Sequence, residues 1–373
     1  MRFRAHYLVP STEKSLDSDS RFPYMKREKG KGWMKVAYTY NMKRGDSEET
    51  QDPPGSTAEA QAEWDDAETI QAVIDALGER HEVIAIDAAD HAYETLRDTR
   101  PDIVFNMAEG SAGPCREGHI PAMLEYLRLP YTASDPLTLN ICLDKARAKE
   151  ILAYNGLLTA RFRVVSMKNF SFNSLHYPLV VKPLYEGSSI GIRNDSLVRT
   201  RQEMKERVSW LLDSYREPAL VEEYLPGREF TVAILGNGDQ ARALPIVEIK
   251  FDSLPAGVNP IYSYEAKWIW DDCSHPLEIF ECPARLRPEL KDEIERTCLQ
   301  AYRVLRCRDW CRIDVRLDTM GRPHIIELNP LPGILPRPEN NSCFPKAARA
   351  AGMSYNQLIN AVLDTALQRY GMM

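Results

Sequence analysis

The chain is poor in the features that mark membrane, secreted or nucleic-acid-binding proteins. No stretch approaches the ~18–20 uninterrupted apolar residues that a membrane-spanning helix needs. Basic residues are in deficit: 47 Lys plus Arg stand against 54 Asp plus Glu, a formal net charge of −7. That balance argues against a general nucleic-acid binder. Eight cysteines in 373 residues do not make a disulfide scaffold. Met1–Pro10 has too short an apolar run for a signal peptide. The expectation is a cytoplasmic protein with reduced thiols. Internal repeats and low-complexity tracts are also lacking. With 44% hydrophobic and 27% charged residues, what remains is an ordinary globular chain long enough for two or three domains.

Residues 1–33 show no sustained periodicity and carry a charged run, Lys26–Lys31, so they read as an extension outside the main fold. Met34–Tyr40 reads as a first strand, followed by a polar, acidic loop from Lys43 to about Asp66 with the Pro53-Pro-Gly55 breaker inside it. Ile70, Val73, Ile74 and Leu77 sit at helix spacing, Glu82–Asp87 and Asp102–Asn106 are strand-like, and Ile120, Met123, Leu124 and Leu127 share a helix face. Strands alternating with helices predict a parallel-sheet α/β region. A second region opens near residues 134–150 with a helix beginning at Asp144-Lys-Ala-Arg-Ala-Lys149, then a buried strand, Pro178–Lys182. Beyond Leu220 strands dominate: Leu220–Tyr224, Glu229–Leu235, Arg312–Leu317 and His324–Leu328, with helices around 290–305 and 358–363.

The densest chemistry lies near the C-terminus. In Arg312-Ile-Asp-Val-Arg316 the two-residue period puts Arg312, Asp314 and Arg316 on one strand face, and in Ile326-Glu-Leu-Asn329 it does the same for Glu327 and Asn329. Five turn-like residues, Asp318–Arg322, join the two, so a hairpin would bring Asp314, Glu327 and Asn329 together. Three oxygen donors beside arginines suit Mg²⁺, which takes one or two carboxylates and completes its shell with phosphates and water. An amphipathic hairpin with a solvated charged face fits the same pattern.

A second element is Lys182 at the end of a buried strand, followed by Glu186-Gly-Ser-Ser-Ile-Gly191. Such a loop can hold phosphates through its backbone N–H groups and the lysine charge. It is not a Walker P-loop, because no Gly-x4-Gly-Lys-[Ser/Thr] occurs in the chain. Gly187–Gly191 does fit the Gly-x-Ser-x-Gly elbow of serine hydrolases, but no helical pattern follows it and that chemistry has no use for the lysine. Cys307-x3-Cys311 lacks a second Cys or His pair, so buried thiols are expected there and not zinc. His119, at a helix start, reads as structural.

In order along the chain, Leu129–Ser134, Leu143–Arg147, Val181-Lys-Pro183 with Glu186–Ser189, Val221–Phe230, Tyr264–Lys267, Arg312–Asp314, Glu327–Asn329 and Pro332-Gly333 resemble the ATP-grasp superfamily. Within it, the resemblance is to the D-alanine–D-alanine ligase group, from about Val36 to Leu367. It implies an α/β, ATP-grasp fold of three domains, with ATP between the central and C-terminal ones. The corresponding division is an extension (1–33), an N-terminal α/β domain (34–134), a central subdomain (135–221) and a C-terminal subdomain (222–373). By position it implies Lys145 and Lys182 on the phosphates; Glu222, Glu223, Tyr224 and Leu225 as the adenine hinge; Glu229 on the ribose; and Lys267 reaching the γ-phosphate. Asp314, Glu327 and Asn329 would hold two Mg²⁺ ions, with Mn²⁺ as a substitute. Ser188, Lys267, Arg312 and the Gly333 backbone would serve the reacting centre, and Ser342 would touch the second substrate. The implied activity is ATP-dependent joining of a small-molecule carboxylate to an amine through an acyl phosphate, and a homodimer is common in that group.

The amino-acid half departs from the group. Its glutamate after the first strand, which holds an ammonium group, is missing from Tyr40-Asn-Met-Lys-Arg-Gly45. Asn106-Met-Ala-Glu-Gly110 replaces a histidine-bearing loop, Trp268 stands where the group has tyrosine, and Ile334–Asn341 is longer and proline-rich. Substrates other than two D-alanines therefore compete with D-alanine ligation, and an ATP-binding module without turnover is a third reading. Glu109 is the expected replacement for the missing acid.

Overall fold

The computed structural model describes residues 33–43, 61–89, 91–255, 257–267 and 279–373. Most of the N-terminal extension, much of the acidic loop and Trp268 lie outside these residues. The first part alternates strand and helix: β1 (Lys35–Tyr40), α1 (Ala67–Gly78), β2 (Glu82–Asp87), α2 (Ala92–Thr99), β3 (Ile103–Asn106) and α3 (His119–Leu127). Its sheet runs β2-β1-β3, parallel throughout. Val36, Ala37, Tyr38 and Thr39 are all fully buried in the central strand, which is why that strand reads as a continuous apolar run without alternation. Asp66 starts α1 by accepting the Thr69 N–H at 2.7 Å, and Ile70, Val73, Ala76 and Leu77 form its buried stripe.

Two helices, α4 (Pro136–Leu143) and α5 (Lys145–Tyr154), lead to β4 (Phe162–Val165), β5 (Leu179–Pro183), β6 (Leu197–Val198), α6 (Arg201–Ser214) and β7 (Ala219–Glu223). These strands form an antiparallel sheet in the order β4-β7-β5-β6, with Met204, Val208 and Leu211 of α6 buried against it. The last sheet, also antiparallel, contains β8 (Glu229–Leu235), β9 (Arg242–Ala243), β10 (Val247–Ile249), β11 (Phe280–Glu281), β12 (Trp310–Leu317) and β13 (Pro323–Asn329). Its order is β11-β10-β8-β12-β13, with β9 pairing β8. Helix α7 (Pro288–Val304) covers it through Ile294, Cys298 and Ala301, while α8 (Cys343–Ala350) and α9 (Tyr355–Arg369) complete the chain.

The last helix does not stay with the last sheet. Leu358, Ile359, Val362 and Leu363 of α9 share one core with Val36, Ile70 and Val73, and Asn360 donates its amide to the Ala76 carbonyl at 2.7 Å. Asp309, fully buried, ties the same parts together. It accepts the Ala133 N–H at 2.8 Å, the Asn237 amide at 2.7 Å and two Arg369 N–H groups at 3.0 and 2.7 Å.

Candidate active site

The β12–β13 hairpin forms, but the plain two-residue period run back from Leu317 and Pro323 would set Asp314 opposite Ile326; a bulge that skips Ile326 turns Glu327 onto the Asp314 face. Asp314 faces Glu327 and Arg312 faces Asn329, with a β-bulge directly after Asp314. Arg312 grips Asp314 with two bonds of 3.1 and 3.0 Å, lies 3.8 Å from Glu327, and Asn329 donates to Asp314 at 3.4 Å. Burial raises the Asp314 carboxyl against the pull of Arg312. Burial acts the same way on Glu327, but Lys145, Lys182 and Arg312 overturn it and bring that carboxyl down to about 2. Among the described residues no group of three or more His, Cys, Asp or Glu side chains is placed to hold a metal. The donor set here is two carboxylates and one amide, which suits a hard cation that takes the rest of its shell from phosphate oxygens and water.

A cavity of about 520 Å³ opens over this hairpin. Every sequence-predicted site residue except Trp268, which lies outside the described residues, lines it: Lys145, Lys182, Ser188, Glu222 to Leu225, Glu229, Lys267, Arg312, Asp314, Glu327, Asn329, Gly333, Ser342 and Glu109. Lys145 is the first residue of α5, capped by Asp144; its ammonium donates to the Glu186 carbonyl and lies 3.7 Å from Glu327. Lys182, on β5, meets Glu222, on β7, at 2.7 Å, and Glu222 also holds Lys149 at 2.9 Å. Burial alone would raise the Glu222 carboxyl; the two lysines outweigh it and bring it to about 2. Glu223 turns the other way, accepting from the His176 N–H at 2.9 Å. Glu229 is paired with Arg316 at 2.6 Å, and Arg316 also donates to the Tyr224 hydroxyl and the Pro260 carbonyl, each at 2.7 Å.

The glycine–serine loop bends sharply. Ser188 and Ser189 take left-handed backbone angles, φ 48° and 62°, a conformation uncommon outside glycine. Ser189 donates to the Tyr262 carbonyl at 2.8 Å. The next α-helix begins at Arg201, so the strand–turn–helix geometry of a hydrolase elbow is not built here. Residues 264–267 are helical and bring Lys267 beside Arg312. Burial, with Arg312 adding repulsion, lowers its ammonium to about 8. Ser342 donates its hydroxyl to the Gly333 carbonyl at 2.9 Å, which fixes the floor of the cavity beside Arg312.

The loops around the first sheet supply further acids to the same cavity: Glu63, Asp65, Glu109 and Glu117. Burial, reinforced by Glu63 and Glu117, raises the Glu109 carboxyl well above its usual range. Burial also lifts Asp65 to about 7, and lifts Glu117 to about 7 against the pull of Arg116. Glu63, Asp65, Glu117, Arg116 and Lys149 went unnoticed as site residues in the sequence, and Arg316 was placed on a strand face without a role. Lys149 had a signal, since it follows Lys145 by one helical turn on the same face. Glu63 sits just after a long loop with no periodicity, and Arg116 and Arg316 acquire meaning only through partners distant in sequence. His119 is exposed, and Cys142, Cys307 and Cys311 are buried free thiols.

A nucleotide-sized cavity between two antiparallel sheets, with lysines on one wall and a carboxylate hairpin on the other, defines the ATP-grasp class. The family described as D-ala D-ala ligase C-terminus matches residues 150–364. A D-alanine–D-alanine ligase of Bordetella petrii is 34% identical over 283 residues, 75% of this chain and 80% of the relative. An uncharacterized protein of Sinorhizobium fredii, y4sG, is 35% identical over 316 residues, 82% and 90% of the respective chains. Among solved structures, the D-alanine–D-alanine ligase of Bacillus anthracis complexed with ATP superposes with a TM-score of 0.68 at 23% identity, covering 91% of this chain and 99% of that one. The VanG D-Ala:D-Ser ligase of Enterococcus faecalis gives 0.65 at 20%, covering 90% and 99%. The chain belongs to the D-alanine–D-alanine ligase family, ATP-dependent enzymes that form carbon–nitrogen bonds and use a divalent metal.

Proposed function

We propose that this protein joins a small carboxylic acid, an amino acid or a derivative of one, to an amine, with release of ADP and phosphate. The observation that carries the reading is the convergence of Arg312, Asp314, Glu327 and Asn329 with Lys145 and Lys182 around one cavity. A carboxylate is a poor electrophile. It takes the γ-phosphoryl group to become an acyl phosphate, the amine attacks the carbonyl carbon, and phosphate leaves. In this reading Lys145 and Lys182 hold the nucleotide phosphates; Glu222, Glu223, Tyr224 and Leu225 frame the adenine; Glu229 binds the ribose; and Lys267 meets the γ-phosphate. Asp314, Glu327 and Asn329 would hold two Mg²⁺ ions, or Mn²⁺, whose chemistry is to neutralise phosphate charge during transfer. Arg312 and the Gly333 N–H face the oxyanion of the tetrahedral intermediate, Ser188 closes the phosphate loop, and Ser342 meets the acceptor carboxylate.

The acid end carries the substrate ammonium. Glu109 takes this role with Glu63 beside it, in place of the family's glutamate after the first strand. Glu109→Gln should raise the KM of the amino-bearing substrate about tenfold or more and leave the KM for ATP within about twofold; equal small changes in both would remove Glu109 from the site. The changed first-sheet loops and the longer 334–341 segment favour substrates beyond a pair of D-alanines, while the curated relatives favour D-alanyl-D-alanine as the narrower alternative. We assign the division 34–134, 135–221 and 222–373 to the three ATP-grasp parts, a cytoplasmic location, and a homodimer as assembly. The direct test is oxygen transfer. With an ¹⁸O-labelled carboxylate substrate, one label should appear in the released phosphate; unlabelled phosphate alongside amide product would exclude the acyl phosphate.

A further inference from the structure

We infer that Arg116 is a positioning residue that latches the glycine–serine loop to the first-sheet side of the cavity. Arg116 sits between β3 and α3 and is 6% exposed. Its guanidinium donates to the Tyr185 carbonyl at 3.0 Å and to Glu63 at 2.7 Å, and reaches the Glu186 carboxylate at 3.4 Å. It therefore joins three segments far apart in sequence: the approach to α1, the approach to α3, and the start of the phosphate loop. Glu63 presses on the loop as well. A Cβ built on Gly187 would lie 2.0 Å from the Glu63 carboxylate, so a side chain there would push Glu63 aside.

The backbone just beyond Gly187 is one that external ties must hold, and Arg116 supplies one of them. Ser188 and Ser189 are consecutive non-glycine residues in the left-handed region. Such a turn persists only when its surroundings over-determine it. Lys145 fixes the Glu186 carbonyl and Ser189 fixes itself to Tyr262, while Arg116 fixes the loop's leading edge from the same half that carries Glu109 and Glu117. Charge-assisted bonds from a planar, permanently charged guanidinium suit this bridging task, and a lysine could not reach three acceptors in that geometry. Rested on the ligase reading, the latch makes loop closure over the phosphates depend on the half that holds the amino-bearing substrate.

Hydrogen–deuterium exchange on the whole chain, without nucleotide, tests the latch. Amides of 186–191 should exchange about tenfold or more faster in Arg116→Met, with β3, α3 and α9 unchanged and Arg116→Lys intermediate. Should Arg116→Met fail to fold, Arg116→Lys and Glu186→Gln decide: each should speed 186–191 by about threefold or more. Unchanged exchange in the loop, or equal acceleration in β3 and α3, would overturn the latch. Adding magnesium with a non-hydrolysable ATP analogue separates the two claims. Protection of 186–191 that appears in wild type and weakens in Arg116→Met supports the coupling, and equal protection in both overturns it. A wild type that gains no protection contradicts the ligase reading and leaves the latch to the nucleotide-free result.

Discussion

At the scale of the residue, Lys267 links burial to a measurable proton. Its ammonium, lowered to about 8 by burial and by Arg312, is half deprotonated near that pH, and a phosphate placed against it restores the charge. MgATP binding at pH 8 should therefore take up about half a proton, read by calorimetry in buffers of different ionisation enthalpy. Uptake should fade below pH 7, where the amine is already charged, and should be lost in Lys267→Arg, which stays charged throughout. Undiminished uptake in that variant would assign the proton elsewhere. The hairpin acids make a second case. Asp314→Asn and Glu327→Gln keep the fold and remove a hard-cation charge, so ADP formation should fall about 100-fold or more in each, partly recovered at high metal concentration. These acids were legible as candidates because the strand period puts Asp314 on one face of its strand and Glu327 with Asn329 on one face of the next; that they meet depends on the bulge after Asp314, which no period shows. The Glu222 bridge between Lys149 and Lys182 was not, because it forms only when β7, β5 and α5 meet.

At the scale of the element, segments with a strong apolar pattern were legible, the four-residue β3 among them, and weakly patterned ones were not. Helices α1, α7 and α9 announced themselves by apolar residues three and four apart, and β8 and β2 fall at the bounds that their composition implies. Strand β4 is four residues with two of them exposed, and β11 is two residues, too short for any period to register. Helix α6 went unread although Met204, Val208 and Leu211 keep helical spacing, because charged residues crowd the intervening positions. The capping box on α9 offers a clean check. Ser354 accepts the Gln357 N–H at 3.2 Å, and Gln357 accepts the Ser354 N–H at 2.8 Å. Ser354→Ala should cost about 1 kcal/mol in urea unfolding and leave nucleotide binding unchanged; a change in nucleotide binding would mean that α9 reaches further into the site than its contacts indicate.

At the scale of the whole molecule, the C-terminal helix ties the last part of the chain to the first sheet's α1. It packs on α1, and through Arg369 it meets Asp309, which also holds Ala133 and Asn237. Asp309→Asn keeps size and tolerates the residue's left-handed backbone, φ 65°, but leaves Arg369 without its charge partner. It should lower unfolding stability by about 3 kcal/mol or more, measured by thermal or urea melts; a loss below about 1 kcal/mol would show that the hub is not what unites these parts. The family order of motifs was legible along nearly the whole chain, and Glu109 with it, whereas Glu63 and Glu117 join Glu109 only through the way the first part of the chain folds. The proposed ligation ties ATP cleavage to amide formation. ADP formation measured across pairs of amino acids with magnesium, with products read by mass spectrometry, tests it most directly. ADP release should require both a carboxylate and an amine partner and match a condensed amide one for one. ADP release with no condensed product under any pairing, or at a rate indifferent to the amine, would contradict it.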